Sequence, residues 1–187
     1  MYPQPGLFAV SLYRLHKPPL EPALVSDLAS ELWGAAPDEI QETVYLWLPY
    51  SYDWQTYNMP WYFPTLEEAL ETGRGDCKAR YLLFASLLEE LEIPYQKNLS
   101  LSHIWVSYEG KIDNRIENEG ESFVTFDETG RASFSFPRTS LSRFVDTFKH
   151  SFWEIMPPVK KILLALGFPV AFILTPQSMQ NKKFIGI

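Results

Sequence analysis

Residues 77–91 are apolar around so much of a helical circumference that the rest of the chain has to be built around them. Ala79, Tyr81, Leu82, Leu83, Phe84, Ala85, Leu87, Leu88 and Leu91 leave only a narrow polar stripe of Lys78, Ser86, Glu89 and Glu90. A helix of this kind has almost no face to offer water and must be largely buried. The residues before it set where it begins. Thr65 and Glu68 have capping-box spacing and predict a short helix over 66–72. Gly73 ends that helix, because glycine accepts the left-handed conformation of a helix C-terminus. Gly75-Asp76-Cys77 then opens the long helix and places the sole cysteine of the chain at its start.

The other limits come from composition. Of 187 residues, 46% are hydrophobic and 16% aromatic, the profile of a packed globule rather than a disordered chain. Sixteen Lys and Arg against 23 Asp and Glu leave a net charge of −7, which speaks against nucleic acid as a partner. One cysteine excludes an intrachain disulfide, a CxxC redox pair and a multi-cysteine zinc site. With only His16, His103 and His150, a metal-dependent hydrolase would have to rely on carboxylates, so no metal and no cofactor are expected. His16 and His150 lie in weakly patterned stretches and are given no role. The N-terminus lacks the layout of a secretory signal, and a cytoplasmic location is the expectation.

Prolines 3, 5, 18, 19 and 22 make residues 1–22 read as an extended arm. Two helices are predicted between 23 and 48, from Leu24, Leu28 and Leu32 and then Ile40, Val44, Trp47 and Leu48. Residues 49–63, dense in aromatics, read as an ordered loop. After Pro94 the pattern turns to strands at 95–101, 103–108 and 122–127, with another starting near Phe134 and Phe136. Helices first and an antiparallel sheet afterwards is the α+β class. Residues 138–174 form a helical, apolar C-terminal extension and 175–187 a tail. The charge-free run from Ile162 to Leu174 is too short for a bilayer needing about 20 residues. It reads as a packed helix followed by a turn at Gly167 and Pro169, with a protein partner or a peripheral membrane contact as what it would dock on.

Cys77 is the candidate nucleophile. A helix N-terminus favours thiolate, and Asp76 as N-cap would bond an amide two or three positions on, leaving the Cys77 amide for a developing oxyanion. Asp76 is itself an anion, so a histidine partner is required. If 105–108 pairs with 122–127 in one long hairpin, with paired numbers summing to 230, His103 faces Asp127 at about 5 Å between Cβ atoms. Asp127 is thus the expected orienting acid, with Asn114 and Glu117 as alternatives if the connection folds back over the site. Gln55, Asn58, Trp54 and Trp61 are all open as a second oxyanion donor.

The run Gly75-Asp76-Cys77-Lys78-Ala79-Arg80-Tyr81-Leu82-Leu83, with Leu91-Glu92-Ile93-Pro94, His103-Ile104-Trp105-Val106 and Phe126-Asp127-Glu128-Thr129, resembles the core of the transglutaminase-like superfamily. That superfamily includes bacterial cysteine proteases, amidases and other acyl-transfer enzymes. The resemblance implies a papain-like core over 23–137 with Cys77 as nucleophile, His103 as base then acid, and Asp127 as the orienting acid. It also implies a peptide or amide substrate processed through a thioester. The alternative is a scaffold of the same fold, catalytically minor, that docks through residues 162–174.

Overall fold

The computed structural model describes residues 4–100, 102–127, 130–135, 145–146 and 149–174. The chain divides into two compact units, one of residues 2–155 and one beginning at Met156. The first is an α+β domain built on the helix that the sequence makes central.

That helix, α6 in chain order, spans Cys77–Glu90, and Leu82, Leu83, Leu87 and Leu88 on it are fully buried. Around it pack a 3-10 turn (Pro22–Val25), α2 (Ser26–Glu31), α3 (Pro37–Trp47) and α5 (Leu66–Thr72), burying Val25, Ile40, Val44 and Leu66 against it. The predicted cap of α5 is present: Thr65 accepts from the Glu68 amide at 3.1 Å, and Glu68 accepts from the Thr65 amide at 2.7 Å. Gly73 closes α5 at φ 59°. The polar stripe of α6 is partly buried too, since Ser86 is inaccessible and accepts the Glu21 amide. Within the loop 49–63 lies one short helix, α4 (Asp53–Thr56).

The extended N-terminal arm is not what forms. Pro5–His16 is a helix, α1. Pro5 occupies its first turn, where no intrahelical N–H is needed, while Pro18 and Pro19 lie beyond its end, so the prolines bracket the helix rather than interrupt it. Ser11 accepts the Phe63 amide at 3.0 Å and Arg14 donates to the Phe63 carbonyl at 2.8 Å, which docks α1 onto the segment before α5.

The sheet has four antiparallel strands, β1 (Gln96–Leu99), β2 (Ile104–Ser107), β3 (Val124–Phe126) and β4 (Ala132–Phe134), in the order β2-β1-β3-β4. The long 103–127 hairpin is therefore overturned. Asn98 pairs with Trp105 on one side and Thr125 on the other, so β1 lies between the two strands expected to be neighbours. A four-residue turn closes β1 onto β2 at less entropic cost than the sixteen-residue connection 108–123 closing β2 onto β3. Phe136 lies outside the described residues, as do 138–144 and 147–148 of the expected helical extension; Lys149–Glu154 forms a π-helical turn.

In the second unit, Pro158–Leu174 is one helix, α7, so Gly167 and Pro169 do not end it in a turn. Val159, Ile162, Leu163 and Leu166 are exposed at helical spacing. Among the described residues no helix is long and apolar enough to cross a membrane. The tail 175–187 lies outside the described residues.

Candidate active site

Cys77 is the first residue of α6 and is half-buried. Asp76, the N-cap, accepts the Lys78 amide at 2.9 Å, so the cap takes an amide beyond that of Cys77, as its position predicts. Gly75 allows the chain to enter the helix so closely: a Cβ there would stand 2.3 Å from the Ala79 Cβ. The aromatic loop pins that glycine on both sides. Ser51 donates its amide to the Gly75 carbonyl at 2.9 Å, and the Gly75 amide donates to the Pro49 carbonyl at 3.2 Å.

Lys78 belongs to the polar stripe in the sequence, yet it is buried. Its ammonium pairs with Asp76 and, at 2.9 Å, with Asp53 from α4, and stands 5.7 Å from the centre of the Trp61 ring. Burial works against the ammonium, but the charges of Asp76 and Asp53 outweigh it and raise its pKa. The two carboxylates share this cation. Burial, and then the Asp76 charge, push the Asp53 carboxyl up to about 7. Asp53 also accepts the Tyr62 amide at 2.8 Å, which ties the loop to the start of α6.

His103 closes the turn between β1 and β2. Its amide donates to the Ser100 hydroxyl at 3.0 Å, and its carbonyl accepts the Ser100 amide at 2.8 Å. The ring stacks on Trp105, centroids 5.7 Å apart and planes at 14°. Its Nε2 lies 2.9 Å from Glu117 Oε1, a bond that leaves Nδ1 as the nitrogen for a second partner. Burial works to lower the imidazole pKa, but hydrogen bonding to Cys77 and Glu117 and their charges raise it to about 10. Glu117 shows the converse. Burial would raise its pKa, while His103 and then Lys111, 2.9 Å away, bring it down to about 2.

The acid at His103 is thus Glu117, and Asp127 is elsewhere. Extrapolating the register, His103 falls opposite Ser100 and Asp127 opposite Gln96, four residues apart along β1, or about 13 Å. Asp127 instead braces the β3–β4 turn, where its carboxylate accepts the Arg131 amide at 2.9 Å. Glu117 reaches His103 because the connection after β2 folds back: Asn114 accepts the amides of Ile116 and Glu117 at 3.0 and 2.9 Å and donates from its side-chain amide to Glu117 at 3.3 Å. The Asn114-to-Glu117 spacing is the sequence signal for that turn. No comparable signal marks Asp53 as the partner of Lys78.

Two cavities meet at Cys77 and His103, one of about 730 Å³ and one of about 510 Å³. Of the four side chains considered as a second oxyanion donor, Trp61 lines the larger cavity; Trp54, Gln55 and Asn58 line neither. Trp54 packs against Phe152, ring centroids 6.0 Å apart. Among the described residues no group of three or more His, Cys, Asp or Glu could hold a metal ion. No protein-family model matches the chain, and no curated protein matches it in sequence.

Proposed function

We propose that this protein is a cysteine-dependent acyl-transfer enzyme of the transglutaminase-like type, with Cys77 as nucleophile, His103 as base then acid, and Glu117 in the role expected of Asp127. One observation carries the reading: His103 is bonded to Glu117 at 2.9 Å and lines, together with Cys77 at the start of a buried helix, both of the cavities that join there. A helix packed on an antiparallel sheet, with the sulfur from one and the imidazole from the other, supports a papain-like core.

In the first half-reaction the sulfur attacks the carbonyl carbon of a peptide or amide bond and its proton passes to His103. The carbonyl electrons move onto oxygen, where the Cys77 amide at the helix N-terminus is placed to donate. Collapse of the adduct expels the amine, which takes the proton from His103 and leaves a thioester. Water or an amine then loses a proton to His103 and attacks, and the sulfur departs carrying that proton back. Glu117 holds the ring in the tautomer with Nε2–H directed at its carboxylate and stabilises the imidazolium between steps. The Trp105 ring stacked on the imidazole restricts its tilt.

The test is acylation by p-nitrophenyl acetate, followed by nitrophenolate release and intact mass. A burst of one acetyl group on Cys77 is expected, absent in Cys77→Ala and slowed about 100-fold or more in His103→Ala. Acetylation no faster than that of the urea-unfolded chain, and indifferent to His103→Ala, would defeat the proposal.

The exposed stripe of Val159, Ile162, Leu163 and Leu166 on α7 favours a second reading, a docking scaffold. Ile162→Glu with Leu166→Glu should then release the protein from lipid vesicles or a partner; unchanged binding would count against it.

A further inference from the structure

We infer that the substrate carries a carboxylate close to the reacting carbonyl and that Arg115 binds it, making this a catalyst for acidic acyl donors rather than neutral ones. The inference rests on the acyl-transfer reading and adds the substrate class.

Both cavities share the lining residues Tyr50, Cys77, His103, Ile104 and Arg115. Arg115 thus borders the same junction as the nucleophile and its base. The other cations along these walls are engaged. Lys78 is held by Asp53 and Asp76. Arg80 donates to the Leu48 carbonyl at 2.9 Å and lies 4.7 and 5.3 Å from the centres of the Tyr45 and Tyr50 rings. The His150 ring is 2.6 Å from Glu154. Arg115 is exposed and makes no hydrogen bond, ion pair or ring contact among the described residues. In a chain of net charge −7, an unpaired guanidinium that lines the same two cavities as the nucleophile is suited to recognising an anion.

Its mounting is fixed. Arg115 follows Asn114 and precedes Glu117 by two residues, so the stapled turn that brings the acid to His103 also carries the guanidinium to the cleft. Charge decides which arm receives the carboxylate. In the larger cavity Asp53 and Asp76 share one lysine and Asp146 adds a further carboxylate, which disfavours a second anion there. The smaller cavity is lined by Arg80 and Arg115, and its one acid, Glu117, is paired with His103 and Lys111. Tyr45, Tyr81, Phe84 and Trp105 give it apolar walls, across which a guanidinium–carboxylate contact is less screened than in bulk water. The carboxylate belongs in the smaller arm.

Alkylation of Cys77 in the full chain tests this without knowledge of the substrate. Iodoacetate and iodoacetamide react alike, sulfur forming a bond to the methylene carbon as iodide leaves, and differ in the carboxylate. The ratio of the two rates should fall about tenfold in Arg115→Gln, the worth of one charged hydrogen-bonded contact, with the iodoacetamide rate unchanged. Arg115→Lys should recover part of the ratio, and Arg115→Glu should lower it further. A ratio indifferent to Arg115, or an equal slowing with both reagents, would overturn the inference. Failure of the acyl-transfer reading would look different: slow alkylation of the parent chain even by iodoacetamide, unaffected by His103→Ala, and this inference would fall with it.

Discussion

Glu117→Gln removes one negative charge from a site where two cations converge on it. His103 Nε2 and Lys111 Nζ each lie 2.9 Å from a different Glu117 oxygen, and the Glu117 and Lys111 side chains are both 7% exposed. At that burial the pair is little discounted by solvent screening. A carboxyl held at about 2 rather than its ordinary 4.5 corresponds to about 3 kcal/mol favouring its charged form. Removing one partner of a buried pair costs about 3–5 kcal/mol, because the other charge is left uncompensated. At about 2–4 °C per kcal/mol for a domain of this size, the melting temperature of Glu117→Gln at pH 7 should fall by roughly 6–20 °C. The pH dependence has a definite sign. Glu117, depressed in the fold, contributes in full above its ordinary 4.5 and loses that contribution as pH falls toward about 2. His103, raised in the fold, contributes in full below its ordinary 6.5 and loses it as pH climbs through about 10. The parent protein should therefore be most stable between these limits, and the variant should lose much of the decline on either side, keeping only what Cys77 contributes to His103. Thermal denaturation followed by circular dichroism from pH 3 to 10 checks this. A variant within about 0.5 kcal/mol of the parent at pH 7, the size of an ordinary surface substitution, and with the same pH profile, would refute the reasoning.

Two other substitutions separate positions by role. Asp127→Asn should leave Cys77 alkylation by iodoacetamide within twofold of the parent, because Asp127 braces the β3–β4 turn; a large slowing would restore Asp127 to the active site. In Gly75→Ala the added methyl has to displace the first turn of α6, at a cost of about 1–3 kcal/mol in urea denaturation, with slower alkylation of Cys77. An unchanged alkylation rate would show that the nucleophile does not depend on this close approach.

What could be read in the sequence was governed by short-range rules. The Thr65–Glu68 box, the Gly73 stop and the Asp76 cap each depend on residues a few positions apart, and each forms where expected. The α+β class followed from the order of elements. Other features turned on longer-range choices. Five prolines suggested an extended arm, yet a proline breaks a helix only from inside it, and α1 fits between them. Strand composition cannot say which strands are neighbours, so β1 was left out of the expected pairing and Asp127 was brought to the wrong end of the sheet. Glu117 was legible only as an alternative, because its reach depends on the turn stapled by Asn114. Lys78 looked solvated until the 49–63 loop supplied Asp53 as a second counter-charge.

That loop does two jobs with one length of chain. Tyr50, Tyr52, Pro60 and Trp61 form part of the wall of the larger cavity, while Pro49, Ser51 and Asp53 grip Gly75 and Lys78 on either side of the sulfur. An alteration made to admit a different guest would also disturb how the attacking atom is held. Redesigning selectivity here means retuning reactivity at once, and variants with new preferences should emerge together with compensating changes at the foot of α6.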